Sequence, residues 1–346
     1  MAEKSRDGGD KNQEIEDSLE NLNLSQDSRQ TSKTYKEDDL QLIADVIKSK
    51  ECRNIIVMTG AGLSTSAGIP DFRSPDVGLF TKVMGKYNVP HPEMVFHIDY
   101  FHENPAAFYE ISRGFMETEY QPTIAHYFLK LLADKNLLLR HYTQNVDGLD
   151  LAAGLAEDKV VAAHGTTYTS HCTNAACHTK FTLEWMKDQI TKSSDITVPR
   201  CQKCQSVIKP DVVLYGEQLP ATFFTMQAKD FSQCNLLIIM GTSLKVEPFA
   251  SLVERVPENT PRLLINLEKV GENHGMFNTS STSGFRMVMD NLLGRKANFT
   301  DIFWKGSCDE GCLKLCQLLG WKQELLKLKE QGSKKYEKGN EPAVKL

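Results

Sequence analysis

The stretch Ile55-Ile56-Val57-Met58-Thr59-Gly60-Ala61-Gly62-Leu63-Ser64-Thr65-Ser66-Ala67-Gly68-Ile69-Pro70-Asp71-Phe72-Arg73-Ser74-Pro75 decides the fold of this chain. Four apolar residues in a row predict a buried strand. A Gly-x-Gly turn without bulky side chains follows. Such a turn lets backbone N–H groups approach a phosphate at the positive end of a following helix. The third glycine of a dinucleotide fingerprint is missing at its usual spacing. The chain runs instead into an acid, an aromatic and a base side by side, Asp71-Phe72-Arg73. That trio points to a nucleotide site where more happens than storage of a cofactor.

Outward from this turn, short apolar runs read as strands over 54–58, 137–142, 159–163, 211–215, 235–240 and 262–265. Helical spacing separates them. Leu40, Ile43, Val46 and Ile47 follow the caps Asp38 and Asp39, and Ile124, Tyr127, Phe128, Leu131 and Leu132 follow Pro122-Thr123. Asp309 is read as the cap of a helix carrying Leu313, Cys316 and Leu319. Continuous apolar strands alternating with helices predict an α/β fold with a Rossmann-like parallel sheet covered on both faces. Polar and glycine residues follow each run: Gly60-Ala61-Gly62, Thr143-Gln144-Asn145-Val146-Asp147, His164-Gly165-Thr166, Gly216-Glu217, Gly241-Thr242-Ser243 and Asn266-Leu267-Glu268. Open α/β sheets bind ligands beyond the carboxyl ends of their strands. Polar strand-ending turns explain any one of these groups, but six together less well.

His164 stands out among the histidines because it ends a strand on the same edge as the Gly60 turn. It has the near-neutral pKa of a base that can take a proton from a hydroxyl; a plain strand cap is the other reading. Asn145 and Asp147 together offer the donor and acceptor that a carboxamide needs, although an Asx turn uses the same residues.

The nine cysteines contain two close pairs, Cys172-x4-Cys177 and Cys201-x2-Cys204. Four thiolates at this spacing complete a tetrahedral Zn²⁺ site with no open position, so the metal is structural. The intervening segment has few large apolar residues and needs a metal in place of a core. His171 and His178 flank the first pair as alternative ligands. Cys52, Cys234, Cys308, Cys312 and Cys316 lack such pairing and read as buried thiols.

The 346 residues suffice for about two domains. A net charge of −5 gives no electrostatic reason for nucleic-acid or anionic-membrane binding. The amino end has no apolar signal segment, and Leu236-Leu237-Ile238-Ile239-Met240 is too short to span a bilayer. Cytoplasmic residence is expected. Residues 1–36 are polar and expected to be disordered. Within them Ile15, Leu19, Leu22 and Leu24 are spaced like a leucine-rich nuclear export signal, which implies nuclear shuttling; a chance amphipathic turn has the same spacing. A lysine-rich tail is expected from residue 329.

In family order, the glycine turn with Ala67-Gly68-Ile69-Pro70-Asp71-Phe72-Arg73, then Thr143-Gln144-Asn145-Val146-Asp147, His164-Gly165-Thr166, the four cysteines and Met240-Gly241-Thr242-Ser243 resemble the sirtuins, NAD-dependent protein-lysine deacylases. The resemblance covers about residues 38 to 328. It implies a Rossmann-type domain from 37–77, 122–163 and 218–328, and a smaller lobe from 78–121 and 164–217, a helical module plus the zinc module. NAD, the co-substrate, is expected at Gly60, Ala61, Gly62, Thr65, Asp71, Phe72, Arg73, Gln144, Gly241, Thr242, Ser243, Asn266 and Glu268, with Cys308 near the adenine and Asn145 and Asp147 on the nicotinamide. The acyl-lysine peptide is expected as a strand between Val213, Leu214, Gly216 and Glu217 on one side and Val246, Glu247 and Pro248 on the other.

The reaction the resemblance implies transfers the acyl group from lysine to ADP-ribose, with His164 as general base on a ribose hydroxyl. It releases nicotinamide and O-acyl-ADP-ribose. Histone- or tubulin-like acylated proteins are the implied partners. Two departures qualify the match. Tyr109-Glu110-Ile111-Ser112 stands where succinyl-selective relatives carry Tyr-x-x-Arg, so neutral acyl groups are favoured. Phe96, Phe108, Ile111 and Phe115 nearby suit a long acyl chain or a plain core. Leu267 stands where relatives often have lysine. Rival readings are a mono-ADP-ribosyltransferase using the same site, a non-catalytic zinc scaffold that should have lost His164 or Asn145, and a hydride-transfer dehydrogenase, which the incomplete glycine fingerprint disfavours.

Overall fold

The structure, a computed structural model, describes residues 37–70, 85–87, 89, 91–277 and 301–337. Asp71, Phe72 and Arg73 and the leucine pattern of residues 15–24 lie outside the described residues.

In chain order the elements are α1 (Glu37–Lys48), β1 (Ile55–Thr59), α2 (Ile98–Glu103), α3 (Pro105–Met116), α4 (Ile124–Asp134), β2 (Leu138–Thr143), α5 (Leu149–Ala152), β3 (Val160–Ala162), β4 (Gly165–Cys172), β5 (Lys180–Thr182), α6 (Leu183–Thr191), β6 (Ile208–Val212), α7 (Ala221–Asp230), β7 (Leu236–Met240), β8 (Arg262–Asn266), β9 (Asp301–Lys305), α8 (Cys308–Leu319) and α9 (Lys322–Glu337). Six strands form one parallel sheet in the order β3-β2-β1-β7-β8-β9. The chain leaves β1 toward β2 and β3, then returns on the other side of β1 with β7. This reversal opens a crevice at the carboxyl ends of β1 and β7, where doubly wound sheets bind ligands.

Every residue of β1 and β7 is buried, as a sheet covered on both faces requires. Ile55, Val57, Leu236 and Ile238 pack under α1, α4 and α8; Ile56, Met58, Leu237 and Ile239 pack on the opposite face with Phe223 of α7. The α/β, Rossmann-like architecture is therefore as the sequence implies. The apolar run at 211–215 is not one of its strands. The strand there is β6, which pairs antiparallel with β4 in a separate sheet ordered β5-β4-β6. Its burial alternates along the strand, the mark of a one-sided sheet. The sixth parallel strand is β9, preceded by a stretch outside the described residues.

Three local expectations change. The glycine turn is followed by two 3₁₀ turns, Ala61–Leu63 and Thr65–Ala67, in place of an α-helix. The cap of α8 is Ser307, in a reciprocal box with Glu310. Asp309 serves another helix, accepting the Ala125 N–H of α4 at 2.8 Å. And α9 runs as a helix past Lys329 to Glu337, with Leu325 fully buried.

Candidate active site and metal centre

The floor of the crevice is made where the turns after β1 and β7 touch. Gly60 N–H donates to Met240 O at 3.3 Å, and Gly62 N–H to Gly241 O at 2.8 Å. A Cβ on Gly62 would lie 2.7 Å from Gly241 Cα, and one on Gly241 would lie 2.5 Å from Gly62 C. Gly241 also has a left-handed φ of 60°. The glycines are thus required first by the close approach of two turns. The Gly62 amide is spent inside the protein, whereas Ala61, the first residue of its 3₁₀ turn, has an N–H with no intrahelical partner.

Other expected residues converge on this floor. Thr65 Oγ1 donates to Gly62 O at 3.1 Å, and Cys308 Sγ, at the N-terminus of α8, lies 3.5 Å from the same oxygen. Gln144 N–H donates to Thr59 O at 3.0 Å, and its Oε1 accepts the Thr242 hydroxyl at 2.7 Å. Asn266 Nδ2 donates to Thr242 O at 3.1 Å and Glu268 O at 2.8 Å. Ser243 is half-buried beside Thr242, while Leu267 is 67% exposed at the rim. Small polar groups, the amino end of α8 and the glycine turns suit a dinucleotide, whose phosphates favour helix N-termini and backbone N–H groups.

His164 sits where β3 leads into β4. Its Nδ1 is 3.0 Å from Gln144 O. A carbonyl only accepts, so Nδ1 carries the proton and Nε2 keeps a free lone pair. Burial pushes the imidazole pKa below its ordinary value, and the Gln144 hydrogen bond offsets this only in part. The ring is therefore a neutral base near pH 7. Beside it, Asn145 Nδ2 donates to Ser64 Oγ at 3.1 Å, and Ser64 Oγ donates to Asp147 Oδ2 at 2.6 Å. Asp147 Oδ1 accepts Leu149 N–H at 3.0 Å, so the Asx turn and the polar cluster are the same structure. Ser64, 1% exposed, was not among the expected site residues. Its signal is a hydroxyl directly after the apolar Leu63 of the glycine turn, the first of three in Ser64-Thr65-Ser66.

The 213–217 segment is fastened to His164 through Val213 N–H, which donates to His164 O at 2.8 Å. Tyr215 pairs with Phe96 and Ile98. Glu217 closes a turn: its carboxylate accepts Leu214 N–H at 2.8 Å, and Lys209 pairs with it at 2.9 Å. Gly216 adopts a φ of 94° in this turn. Val246 and Pro248 are half-buried, Glu247 is exposed, and His274 approaches Glu247 at 3.5 Å. Among the described residues no hydrogen bond joins the 213–217 and 246–248 segments. The Tyr109 hydroxyl donates to Ile208 O, and Glu110 is buried with Lys86 at 2.6 Å and Arg113 at 2.9 Å. Neither Tyr109 nor Arg113 is free to hold an acidic acyl group. Phe96, Phe108, Ile111 and Phe115 belong to the third core cluster.

The Sγ atoms of Cys172, Cys177, Cys201 and Cys204 all lie within 4.8 Å of one another, with Cys172–Cys204 at 3.3 Å and Cys177–Cys201 at 3.6 Å. A Zn²⁺ tetrahedron with Zn–S of ~2.3 Å has S···S edges of about 3.8 Å. The four thiols fit one structural zinc. The Ser206 hydroxyl and N–H hold the Cys204 thiol down to about 6, which favours the ligating thiolate. His171 is engaged elsewhere, with Nδ1 2.7 Å from Asp211 and its ring stacked on His178 at 4.4 Å. The cluster clamps the far ends of β4 and β6, whose near ends meet His164 and Val213.

Residues 60–248 match the profile of the Sir2 family. Over 294 residues the chain is 48% identical to a Danio rerio protein named NAD-dependent protein deacetylase sirtuin-2, covering 85% of this chain and 75% of that one. It is 42% identical over 296 residues to the Mus musculus NAD-dependent protein deacetylase sirtuin-3, covering 86% and 80% respectively. A Dictyostelium discoideum NAD-dependent deacetylase, sir2A, is 43% identical over 292 residues, 84% of this chain but 53% of that one.

Proposed function

This chain belongs to the Sir2 family, and from that membership and the geometry of the crevice we infer that it is an NAD-dependent protein-lysine deacetylase. NAD is consumed as co-substrate, and one structural zinc holds the small sheet. The reading is carried by one observation: a desolvated histidine whose Nδ1–H is fixed by Gln144 O, leaving Nε2 as a base beside the Asn145–Ser64–Asp147 cluster. ADP-ribosyl transfer to protein is not favoured, since the relatives are named as deacetylases.

The residue roles we propose are those that the family resemblance implies, and the geometry above is compatible with them. Ala61, Thr65, Gln144, Thr242, Asn266 and the N-terminus of α8 bind the dinucleotide. Asn145 and Asp147, bridged by Ser64, orient the nicotinamide carboxamide. His164 Nε2 takes the ribose hydroxyl proton. Val213 to Glu217 and Val246 to Pro248 receive the acyl-lysine peptide. Neutral acyl groups are favoured because Tyr109 and Arg113 are committed within the fold. Acylated histone- or tubulin-like proteins are the proposed substrates.

Mass spectrometry of an acetyl-lysine peptide incubated with the protein and NAD tests the reading. Nicotinamide, O-acetyl-ADP-ribose and free lysine are the expected products; ADP-ribosylated protein alone overturns it. His164→Tyr should keep the zinc and abolish turnover.

A further inference from the structure

Behind the Asn145 cluster lies a second polar network that the chemistry above does not use. His141, in β2, is wholly buried, and Asp150, in α5, is 6% exposed. His141 Nδ1 lies 3.3 Å from Asp150 Oδ2 without making a regular hydrogen bond. On the other side of the ring, Nε2 is 2.8 Å from Thr59 Oγ1. Thr59 donates its single hydroxyl proton to Thr143 Oγ1 at 3.0 Å. Thr59 must therefore accept from His141, so Nε2 carries a proton. Nδ1 then faces the Asp150 carboxylate across 3.3 Å.

This pair is directed. Strand register sets Thr59 beside Thr143 and Val57 beside His141. Thr143 Oγ1 accepts Asn145 N–H at 3.0 Å, at the point where the chain leaves β2 for the active site. Asp150 is fixed in turn by Leu151 N–H at 2.8 Å. Burial alone would raise its carboxyl, but His141, His126 and the Leu151 amide hold it below the usual carboxylate range. A path thus runs from the buried Asp150 carboxylate, by close contact to the imidazole and then by hydrogen bonds through two hydroxyls, to the backbone of Asn145. Without the imidazole, Thr59 loses the donor that orders its hydroxyl, and that hydroxyl is the one that donates to Thr143.

We propose that His141, anchored by Asp150, is a positioning residue that holds Asn145 in register for the nicotinamide carboxamide, acting through Thr59 and Thr143. The proposal rests on the deacetylase reading above and adds a residue to it.

The test compares wild type with His141→Leu and His141→Gln, whose amide can still donate to Thr59. Nicotinamide inhibition constants and KM values for NAD and for acetyl-lysine peptide are measured, with zinc content as the check on folding. Loss of one such ordering hydrogen bond should weaken nicotinamide inhibition and raise the NAD KM about tenfold in His141→Leu. The peptide KM should stay unchanged, and His141→Gln should regain most of the loss. Unchanged nicotinamide inhibition in a zinc-loaded His141→Leu overturns the proposal, as does an equal rise in both KM values, which marks a general loss of structure. If His141→Leu does not fold, Thr143→Val, of the same shape without the hydroxyl, should give the same split, and its absence overturns the proposal. Wild type without NAD-dependent deacetylation overturns both readings; wild-type turnover with an unshifted variant overturns only this one.

Discussion

Gly62→Ala separates two reasons for a glycine at the floor of the crevice. A glycine kept for phosphate approach should cost only NAD affinity when replaced. A glycine kept for packing should cost stability as well. Gly62 has no left-handed φ, so alanine meets no backbone strain there. Its Cβ would stand 2.7 Å from Gly241 Cα and 2.9 Å from Gly241 O, against ordinary contact from 3.4 Å. Both obstacles are backbone and cannot rotate away, so the two turns must part by the missing 0.7 Å. The 2.8 Å bond from Gly62 N–H to Gly241 O would stretch toward the outer limit of a hydrogen bond. Overpacking of this kind costs roughly 1–3 kcal/mol, and the weakened bond about 1 kcal/mol more. In a domain this large that lowers Tm by about 5–10 °C, read by circular dichroism melting of the unliganded protein. Gly68→Ala is the control. Its φ of 91° carries a left-handed cost, but nothing lies within 4 Å of its Cβ. It should lose only about 1–2 kcal/mol. A Gly62→Ala protein that melts with wild type while its NAD KM rises would refute the packing argument.

Because burial lowers the His164 pKa, protonation of Nε2 is deferred to more acid pH. The acid limb of kcat/KM should therefore fall below the ordinary histidine value of ~6.5, with a plateau through neutrality. An acid limb centred above that value excludes His164 as the buried base. Chelation should release one zinc per chain and abolish deacetylation, while far-UV circular dichroism retains the signal of the parallel sheet. Full kcat after metal loss would separate the zinc from catalysis. Leu22→Ala with Leu24→Ala should shift a fluorescent fusion into the nucleus, and an unchanged distribution would dismiss export through this pattern.

The parallel sheet could be read from the chain because β1 and β7 are buried on both faces and so carry no alternation to confuse with a helix. Strand β9 was harder. Asp301, Trp304 and Lys305 are not fully buried, as befits an edge, and its apolar run is short. The run at 211–215 misled because Val212, Val213 and Leu214 are apolar together, yet the ladder ends at Val212 and the following residues turn around Gly216. The cysteine cluster was readable from spacing, since two short-spaced pairs bring four thiols together whatever fold joins them. The Ser64 bridge and the His141–Asp150 pair were not. The Ser64 bridge joins residues far apart in sequence, which the pairing of β1 with β2 brings together. His141 and Asp150 lie on consecutive elements, and it is the turn from β2 into α5 that sets them face to face.

His164 sits at a seam between the two sheets. Its ring is held from the parallel sheet, through Gln144 O at the end of β2. Its carbonyl is held from the antiparallel sheet, through Val213 N–H just past β6. The first contact selects the tautomer and the second sets where the backbone lies. The tautomer is therefore secured from the Rossmann-like core, whereas the position depends on β3 and also on β4 and β6, and hence on the four cysteines at their far ends. A zinc bound away from the reacting atoms can in this way govern the rate. Small displacements of a catalytic group are costly, about a hundredfold for 1 Å, and the two strands that run from the cysteine cluster help to place His164.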